Sequence, residues 1–172
     1  MAESDTEKLK EQPLGNKDIY KVALDTRNFE ISLFWQRSNY FLVLNSALAL
    51  GFFNLQKQEF AFLLAVFGLF VSFLWYRVNL GSKYWQSRWE HRLYILEKKV
   101  APNLDFFAAD WKTIQKDVEE SLTNSQSNKG CFRKWLDKQV LNKPSVSYNM
   151  ILLSLLFFIG WILLIAVRIW KG

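Results

Sequence analysis

An apolar run at residues 58–80 passes without a break signal into a charged, tryptophan-containing stretch at residues 81–100. The first stretch exceeds the roughly 20 residues that a helix needs to cross a bilayer. The second repeats apolar side chains every three or four positions, which is typical of an amphipathic helix. The pattern therefore predicts one continuous helix over residues 58–100, half in lipid and half in the cytoplasm.

Two further apolar runs flank this helix, one at residues 39–55 and the other at residues 146–169. The short polar connection at 54–58 forces the second helix to return antiparallel to the first, so residues 39–80 are predicted to form a transmembrane hairpin. The last run is long enough to cross the bilayer again. We therefore expect residues 144–172 to form a C-terminal transmembrane helix, the third span.

The segment before the hairpin is polar. Residues 1–16 are predicted to be a disordered tail, and residues 17–38 an amphipathic pre-membrane helix capped by Asn16 or Asp18. The apolar stripe of this helix either lies on the membrane surface or packs against another helix, and the mixed charges of its polar face favour packing. The stripe consists of Ile19, Val22, Thr26, Phe29 and Leu33.

Residues 81–143 are predicted to form a cytoplasmic helical region, in which Asn103 or Asp105 caps a short helix and a linker at 121–129 follows. The apolar residues of that helix are Phe106, Phe107, Trp111, Ile114 and Val118. A second short helix carries Phe132, Trp135, Leu136 and Val140. These few aliphatic residues can form only a thin core. The region is therefore expected to pack against copies of itself or against the helix predicted over residues 58–100.

These elements define an all-α membrane protein, with an antiparallel transmembrane hairpin that continues into cytoplasmic amphipathic helices, plus a C-terminal apolar helix. Small residues on one face of the second apolar run are interpreted as a helix-packing stripe, with chance spacing as the alternative. They are Ala61, Ala65, Gly68 and Ser72. Just beyond the stripe, Trp85 and Trp89 are expected to anchor the helix at the membrane interface.

Asn45 is the one strongly polar residue within the apolar stretch 40–53. An amide in hydrocarbon is costly without a partner, so it either bonds across helices, within or between subunits, or faces a wet pore. Helical geometry places Ser38 nearly in line with Asn45, and Asn39 and Ser46 beside them. These four residues are predicted to line a pore or to form an oligomer contact, and interhelical adhesion is slightly favoured.

Positive charge is concentrated in residues 77–146, which hold thirteen Lys and Arg against eight Asp and Glu in a chain of net charge +6. By the positive-inside rule, residues 1–38 and 81–143 are assigned to the cytoplasm of a multi-pass inner-membrane protein. Three spans put the carboxyl terminus outside. A last segment that dips into the membrane without crossing returns it to the cytoplasm.

The basic face of residues 83–99 has three interpretations: contact with anionic headgroups, binding of nucleic acid or a nucleotide, or a solvated surface balanced by Glu90 and Glu97. A membrane or solvated surface is favoured well ahead of nucleic acid. Both carboxylates are expected to pair with Lys or Arg residues three or four positions away on the same helix.

The composition excludes most kinds of catalytic and metal-binding site. The chain has one histidine, His91, and one cysteine, Cys131, and it contains no glycine-rich phosphate loop. No spacing typical of metal ligands is present. We therefore expect no enzymatic activity, no cofactor and no metal, and we expect a structural or surface role for His91.

A set of motifs resembles a bacterial family. Residues 37–46 read RSNYFLVLNS, residues 82–90 read SKYWQSRWE, and Leu96-Glu97 precedes Pro102. Around a tight hairpin, this arrangement resembles the RipA-like octameric membrane proteins, a group that looks related to the CRISPR-associated octameric membrane pore protein of RNA-targeting type VI systems. The resemblance implies a ring-shaped homo-oligomer in the bacterial inner membrane with a central channel. More weakly, it implies a part in stress survival or anti-phage (antiviral) defence.

The predicted function is therefore a homo-oligomeric inner-membrane pore or pore-like effector, in anti-phage defence or a stress response. The alternative is a non-conducting membrane scaffold that recruits a cytoplasmic partner through residues 103–143. In both cases the expected partners are the lipid bilayer and further copies of the chain, and nucleic acid is not expected.

Overall fold

The computed structural model describes residues 15–55, 58–124 and 130–171. Within these ranges the chain forms five α-helices and no strand, which confirms the prediction of an all-helical protein. The helices are α1 (Asn16–Asn54), α2 (Gln58–Val100), α3 (Trp111–Asn124), α4 (Cys131–Leu141) and α5 (Val146–Lys171). Nearly all of the predicted disordered tail lies outside the described residues.

α2 is the central element of the fold. It runs without a break from Gln58 to Val100 and passes through Gly81, so the prediction of one continuous helix is confirmed. Its 43 residues make a helix of about 65 Å, roughly twice the thickness of a hydrocarbon core. α1 and α5 both pack along it.

α1 lies antiparallel along nearly the whole of α2. Asn45 faces Ser72, and Arg27, eighteen positions earlier, faces Glu90, eighteen positions later. α1 is a single helix, so the predicted boundary between residues 38 and 39 is not a break in the backbone. Its N-cap residue is Gly15, which makes no side-chain hydrogen bond, so the predicted caps at Asn16 and Asp18 are wrong.

The predicted apolar stripe of residues 17–38 coincides only in part with the side of α1 that packs on α2: Ile19 and Val22 line a cavity with Trp89 of α2, and Thr26 and Leu33 are half-buried. Val22 and Phe29 are 55% and 61% exposed, whereas Ala23 and Phe34 are buried. The buried side also has helical spacing, and it carries Arg27, which pairs with α2. Apolar periodicity alone does not define the contact face, because that face mixes small, aromatic and charged side chains.

α5 lies on another side of α2 and is also antiparallel to it, so α1 and α5 run parallel to each other. Three pairs mark this order: Trp161 beside Gly68, Phe157 against Trp75, and Ser147 bonded to Gln86. α1 and α5 meet at Phe52 and Trp161, whose rings lie 6.0 Å apart and nearly perpendicular, at 88°. A buried apolar cluster fills the junction, comprising Leu48, Phe52, Ala61, Ala65, Val71 and Trp161.

The outer surfaces of these helices are apolar. Val43, Leu63 and Leu163 are 68%, 65% and 60% exposed. Exposed apolar surface of this extent suits a hydrocarbon solvent rather than water. Two helices in the described ranges, Phe60–Val100 and Val146–Trp170, are long and apolar enough to cross a membrane.

α3 begins later than predicted. Its first turn is capped by Asp110, whose Oδ1 accepts a hydrogen bond from the backbone N–H of Thr113 at 2.7 Å. That hydrogen bond is the main cause of the lowered pKa of Asp110. The predicted caps at Asn103 and Asp105 are wrong, because Asp105 has a left-handed backbone (φ 48°) that does not start a helix.

Two other features of the predicted cytoplasmic region can be compared with the structure. α3 extends to Asn124, so the first part of the predicted linker is helical, and residues 125–129 lie outside the described ranges. α4 matches the second predicted short helix.

Candidate functional site

Asn45 lies where the three long helices meet, and it is fully buried, with 0% of its surface exposed. Its Oδ1 accepts hydrogen bonds from Ser72 Oγ of α2 at 2.6 Å and from Trp161 Nε1 of α5 at 3.1 Å. Its Nδ2 donates to the carbonyl oxygen of Phe41, one turn earlier, at 2.9 Å. One amide therefore connects α1, α2 and α5 within a single chain, as interhelical polar contacts do in membranes.

Gly68 makes room for the indole of Trp161. A Cβ atom at position 68 would lie 2.6 Å from Cδ2 of Trp161, well inside van der Waals contact. The other residues of the small stripe, Ala61, Ala65 and Ser72, are 0%, 1% and 0% exposed. All four are therefore buried on the inner side of α2, and the absence of a side chain at Gly68 lets the indole reach Asn45.

The predicted polar stripe is divided between two faces of α1. Ser38 and Asn45 are 2% and 0% exposed, whereas Asn39 and Ser46 are exposed. Neighbouring positions on a helix point about 100° apart, so Asn39 points away from the direction of Ser38, and Ser46 points away from that of Asn45. Ser46 Oγ also donates to the carbonyl oxygen of Leu42 of its own helix at 2.8 Å. The role of Asn39 and Ser46 in a pore or an oligomer contact stays a prediction.

A second buried amide lies seven residues beyond Ser72 on α2. Asn79 is 1% exposed, and its Nδ2 donates to the Met150 carbonyl oxygen at 3.0 Å and to Ser154 Oγ at 3.2 Å, both on α5. Ser154 Oγ donates in turn to the carbonyl oxygen of Ile151 at 2.8 Å. This group ties α5 to α2 at a second level.

A third polar group lies another seven residues along α2. The Oε1 atom of Gln86 accepts a hydrogen bond from Ser147 Oγ of α5 at 2.6 Å, and its Nε2 donates to Glu90 Oε1 at 2.9 Å. Glu90 Oε1 lies 3.7 Å from Nη2 of Arg27 on α1. Glu90 therefore pairs with another helix, and the expected pairing with Lys or Arg of α2 is wrong for it.

We call Ser72, Asn79 and Gln86 the α2 ladder. Seven residues correspond to about 10.5 Å along a helix and almost two full turns, so the three side chains share one face. Each of them hydrogen-bonds to α1 or α5. From the sequence, Ser72 is predicted as one of the small packing residues, and no role is predicted for Asn79 or Gln86. The spacing of seven residues between the three polar side chains is the sequence feature that indicates their common face.

Glu97 is fully buried (0% exposed) near the end of α2 and organises the loop that follows. Its Oε1 accepts a hydrogen bond from the N–H of Phe106 at 2.8 Å, and its Oε2 accepts from the N–H groups of Phe107 and Ala108 at 2.6 and 3.0 Å. The expectation of a solvated carboxylate paired within its own helix is wrong for Glu97. The three amides that it binds lie in the irregular segment that separates α2 from α3.

The loop held by Glu97 also contacts α1. The guanidinium carbon of Arg27 lies 5.5 Å from the centroid of the Phe107 ring. Burial, and to a smaller degree the negative charge of Glu97, raises the pKa of Tyr20. The first turns of α1, the last turns of α2 and the loop therefore form one packed end of the molecule.

The predicted interface residues, Trp85 and Trp89, lie four positions apart on the same face of α2 and differ in exposure. Trp85 is 43% exposed, with the guanidinium carbon of Arg88 5.2 Å from its ring centroid, whereas Trp89 is half-buried. Their role as membrane anchors stays a prediction. His91 is exposed and stacks on Tyr94 with ring centroids 6.3 Å apart. In the part of the chain that the structure describes, no group of three or more His, Cys, Asp and Glu side chains is arranged to hold a metal ion.

No curated protein and no solved structure matches the chain. The sequence does match the Octameric membrane protein family (8xMP), over residues 17–170. The match runs from the second residue of α1 to the penultimate residue of α5, and so includes the three-helix unit of α1, α2 and α5 with its α2 ladder. The chain therefore belongs to the Octameric membrane protein family.

Proposed function

We propose that eight copies of the chain form a ring in the bacterial inner membrane that encloses a pore lined by the exposed face of α1. The observation that supports the proposal is that two polar side chains lie on that exposed and otherwise largely apolar face, beside the apolar part of α2. Asn39 and Ser46 are exposed there, while their neighbours Phe41 and Asn45 contact Trp75 and Ser72. Exposed amides avoid hydrocarbon by facing water or a neighbouring subunit.

Three spans per subunit are part of this proposal. α2 and α5 are apolar enough to cross a membrane, and the second half of α1 lies against the same parts of both through Asn45 and Phe52. If α2 and α5 cross, that half of α1 lies at the same depth. It then forms an antiparallel transmembrane hairpin with α2. The charged halves of α1 and α2 extend together into the cytoplasm with α3 and α4, and the carboxyl terminus lies outside.

We also propose that the protein is not an enzyme. Three polar side chains inside the three-helix unit, Asn45, Asn79 and Gln86, are engaged in hydrogen bonds between helices. The link to RipA-like proteins and to the type VI pore protein, with a part in defence or stress survival, rests on the motif resemblance. Membership of an octameric family supports the structural part of what that resemblance implies, a ring of identical subunits.

A specific observation also favours the second candidate, a non-conducting scaffold with a cytoplasmic protein partner. Phe132 and Trp135 of α4 are 72% and 55% exposed, and Trp111 of α3 is 49% exposed. Exposed aromatic side chains on a polar helical region are typical of a binding surface. Such a surface can recruit another protein or a neighbouring copy of the chain.

Two measurements test the proposal. The native mass of the detergent-solubilised protein is expected to correspond to eight chains. Liposomes that contain this oligomer are expected to release entrapped ions or dye. The double variant Asn39→Leu/Ser46→Leu should reduce this flux without changing the native mass.

Ala47→Leu is the matched control, because Ala47 is also exposed but points about 100° away from Ser46. It should leave the flux unchanged. A wild-type octamer that conducts nothing across the applied voltages and osmotic gradients would overturn the pore and favour the scaffold.

A further inference from the structure

A cavity of about 630 Å³ lies between the start of α5, α2, and the loop that Glu97 holds. Cationic side chains enter it from three parts of the chain: Arg27 of α1, Lys83 of α2, and Lys143 of the connection between α4 and α5. Among the described residues that line it, Glu90 is the only carboxylate. The cavity therefore carries an excess of positive charge.

The two lysines are positioned by aromatic rings rather than by carboxylates. Lys83 Nζ lies 5.4 Å from the centroid of the Tyr148 ring, and Lys143 Nζ lies 5.0 Å from that of Trp111. Within the described ranges neither lysine forms an ion pair. A ring holds an ammonium group in place without neutralising its charge. Both charges therefore remain available to an anion.

Arg27 differs from the lysines because it already has a partner. Its Nη2 lies 3.7 Å from Glu90 Oε1, a partly exposed pair of modest strength. The buried Nε of Arg27 has no hydrogen-bond partner in the described part of the chain. The guanidinium thus keeps donor capacity beyond its contact with Glu90.

A second, largely apolar cavity of about 210 Å³ adjoins the first and shares four lining residues with it: Arg27, Gln86, Val146 and Ser147. Its walls include Phe34, Trp35 and Trp89, and its own carboxylate is Glu30. The pair of cavities offers a cationic chamber beside an aromatic one. That combination matches a molecule with an anionic head and an apolar chain.

We propose that the larger cavity binds a phosphate group, supplied either by an anionic phospholipid headgroup or by a soluble phosphate ester. Lysine ammonium groups and an arginine guanidinium are the side chains that bind phosphate oxygens in proteins. The cavity also lies at the N-terminus of α5, whose 26 residues give it a positive end there. The site is complete within one subunit and does not depend on whether the ring conducts.

The test uses the full chain in lipid nanodiscs. One set contains phosphatidylcholine alone, a second contains phosphatidylcholine with phosphatidylglycerol, and a third contains phosphatidylcholine with glycerol 3-phosphate in solution. Native mass spectrometry after release into detergent measures the retained lipid, and thermal unfolding measures the effect of the soluble ester. We expect the wild-type protein to retain phosphatidylglycerol over phosphatidylcholine or to be stabilised by glycerol 3-phosphate.

The double variant Lys83→Gln/Lys143→Gln should weaken that binding by about fivefold for each lysine. Lys98→Gln is the matched control, because Lys98 also lies over a ring, 4.2 Å from the Tyr94 centroid, but does not line the cavity. It should leave binding unchanged, although it removes one positive charge, as each of the two cavity substitutions does.

The outcomes separate the two sources of phosphate. Retention of phosphatidylglycerol alone assigns the site to a lipid, and an effect of glycerol 3-phosphate alone assigns it to a soluble ester. A wild-type protein that shows neither would overturn the proposal, and so would an equal loss in Lys98→Gln. The wild-type comparison decides the question even if the double variant does not assemble.

Discussion

The indole Nε1 of Trp161 donates a hydrogen bond to Asn45 Oδ1 at 3.1 Å, joining residues 116 positions apart in the chain. The hydroxyl of Ser72 donates to the same oxygen. A single acceptor atom therefore serves donors from two other helices. A buried donor that loses its acceptor costs more than the bond contributes, so this oxygen is a sensitive point of the fold.

Asn45→Leu removes this acceptor and leaves Ser72 and Trp161 unpaired. We expect the free energy of unfolding to fall by about 1–3 kcal/mol, toward the lower end if lipid weakens the net effect. Unfolding in mixed detergent, followed by circular dichroism, measures it. Asn39→Leu, exposed on the same helix, is the control and should be nearly neutral. Equal stability of the two variants would show that the shared oxygen contributes nothing.

Gly68→Ala places a methyl group against the Trp161 indole, 2.6 Å from its Cδ2 atom. The ring must move, and its hydrogen bond to Asn45 is strained or lost. We expect a loss of about 1–3 kcal/mol in stability, together with a change in tryptophan fluorescence. Gly81→Ala is the comparison, because nothing lies within 4 Å of the added atom.

Gly81→Ala should instead stabilise α2 by about 0.5–1 kcal/mol, since alanine favours the helix interior over glycine. Opposite signs for the two substitutions are the expected result. A Gly68→Ala protein as stable as Gly81→Ala would contradict the close contact between α2 and α5.

Glu97→Gln replaces one of the two carboxylate oxygens that accept the amides of residues 106–108. Hydrogen bonds to a charged group contribute about 1.5–3 kcal/mol, so we expect amide exchange in this loop to accelerate by roughly tenfold or more. Hydrogen exchange of a peptide covering 101–110 provides the measurement. Glu119→Gln, on the exposed surface of α3, should leave that peptide unchanged. Unaltered protection in Glu97→Gln would mean that the loop is held by other contacts.

Cys131 offers a direct test of membrane orientation, because it is the only cysteine of the sequence and is exposed on α4. With α4 in the cytoplasm, a membrane-impermeant maleimide should label it only after the inner membrane is lysed. The variant Cys131→Ala/Lys171→Cys should be labelled without lysis, since three spans put the end of α5 outside. Labelling of both sites from the same side would contradict the three-span arrangement.

The membrane helices were predictable because their signals are local. The length of the apolar run at 58–80, the continuous periodicity through Gly81 and the lone amide of Asn45 are all visible in the sequence. The partners of Asn45 were not predictable in the same way. From its position toward the end of the last apolar run, Trp161 is expected at the membrane interface. Only the packing of α5 against α2 directs its indole toward Asn45.

Two further features do not follow from the sequence pattern. Ser38 and Asn39 are adjacent in sequence, but the face of α1 that turns inward depends on its contacts with α2. Glu97 lies beside Lys98 and Lys99 and reads as part of a charged surface. Its true partners are backbone amides of an irregular loop, and backbone amides leave no mark in a side-chain pattern.

The α2 ladder limits how a subunit can move. Sliding α5 along α2 by one helical turn, about 5.4 Å, would separate Asn79 from Ser154 and Gln86 from Ser147 in the same step. It would also carry Trp161 away from Asn45. Piston-like shifts within a subunit are therefore costly. In the proposed ring of eight subunits, a change of diameter would therefore come from tilting of each three-helix unit as a rigid body against its neighbours.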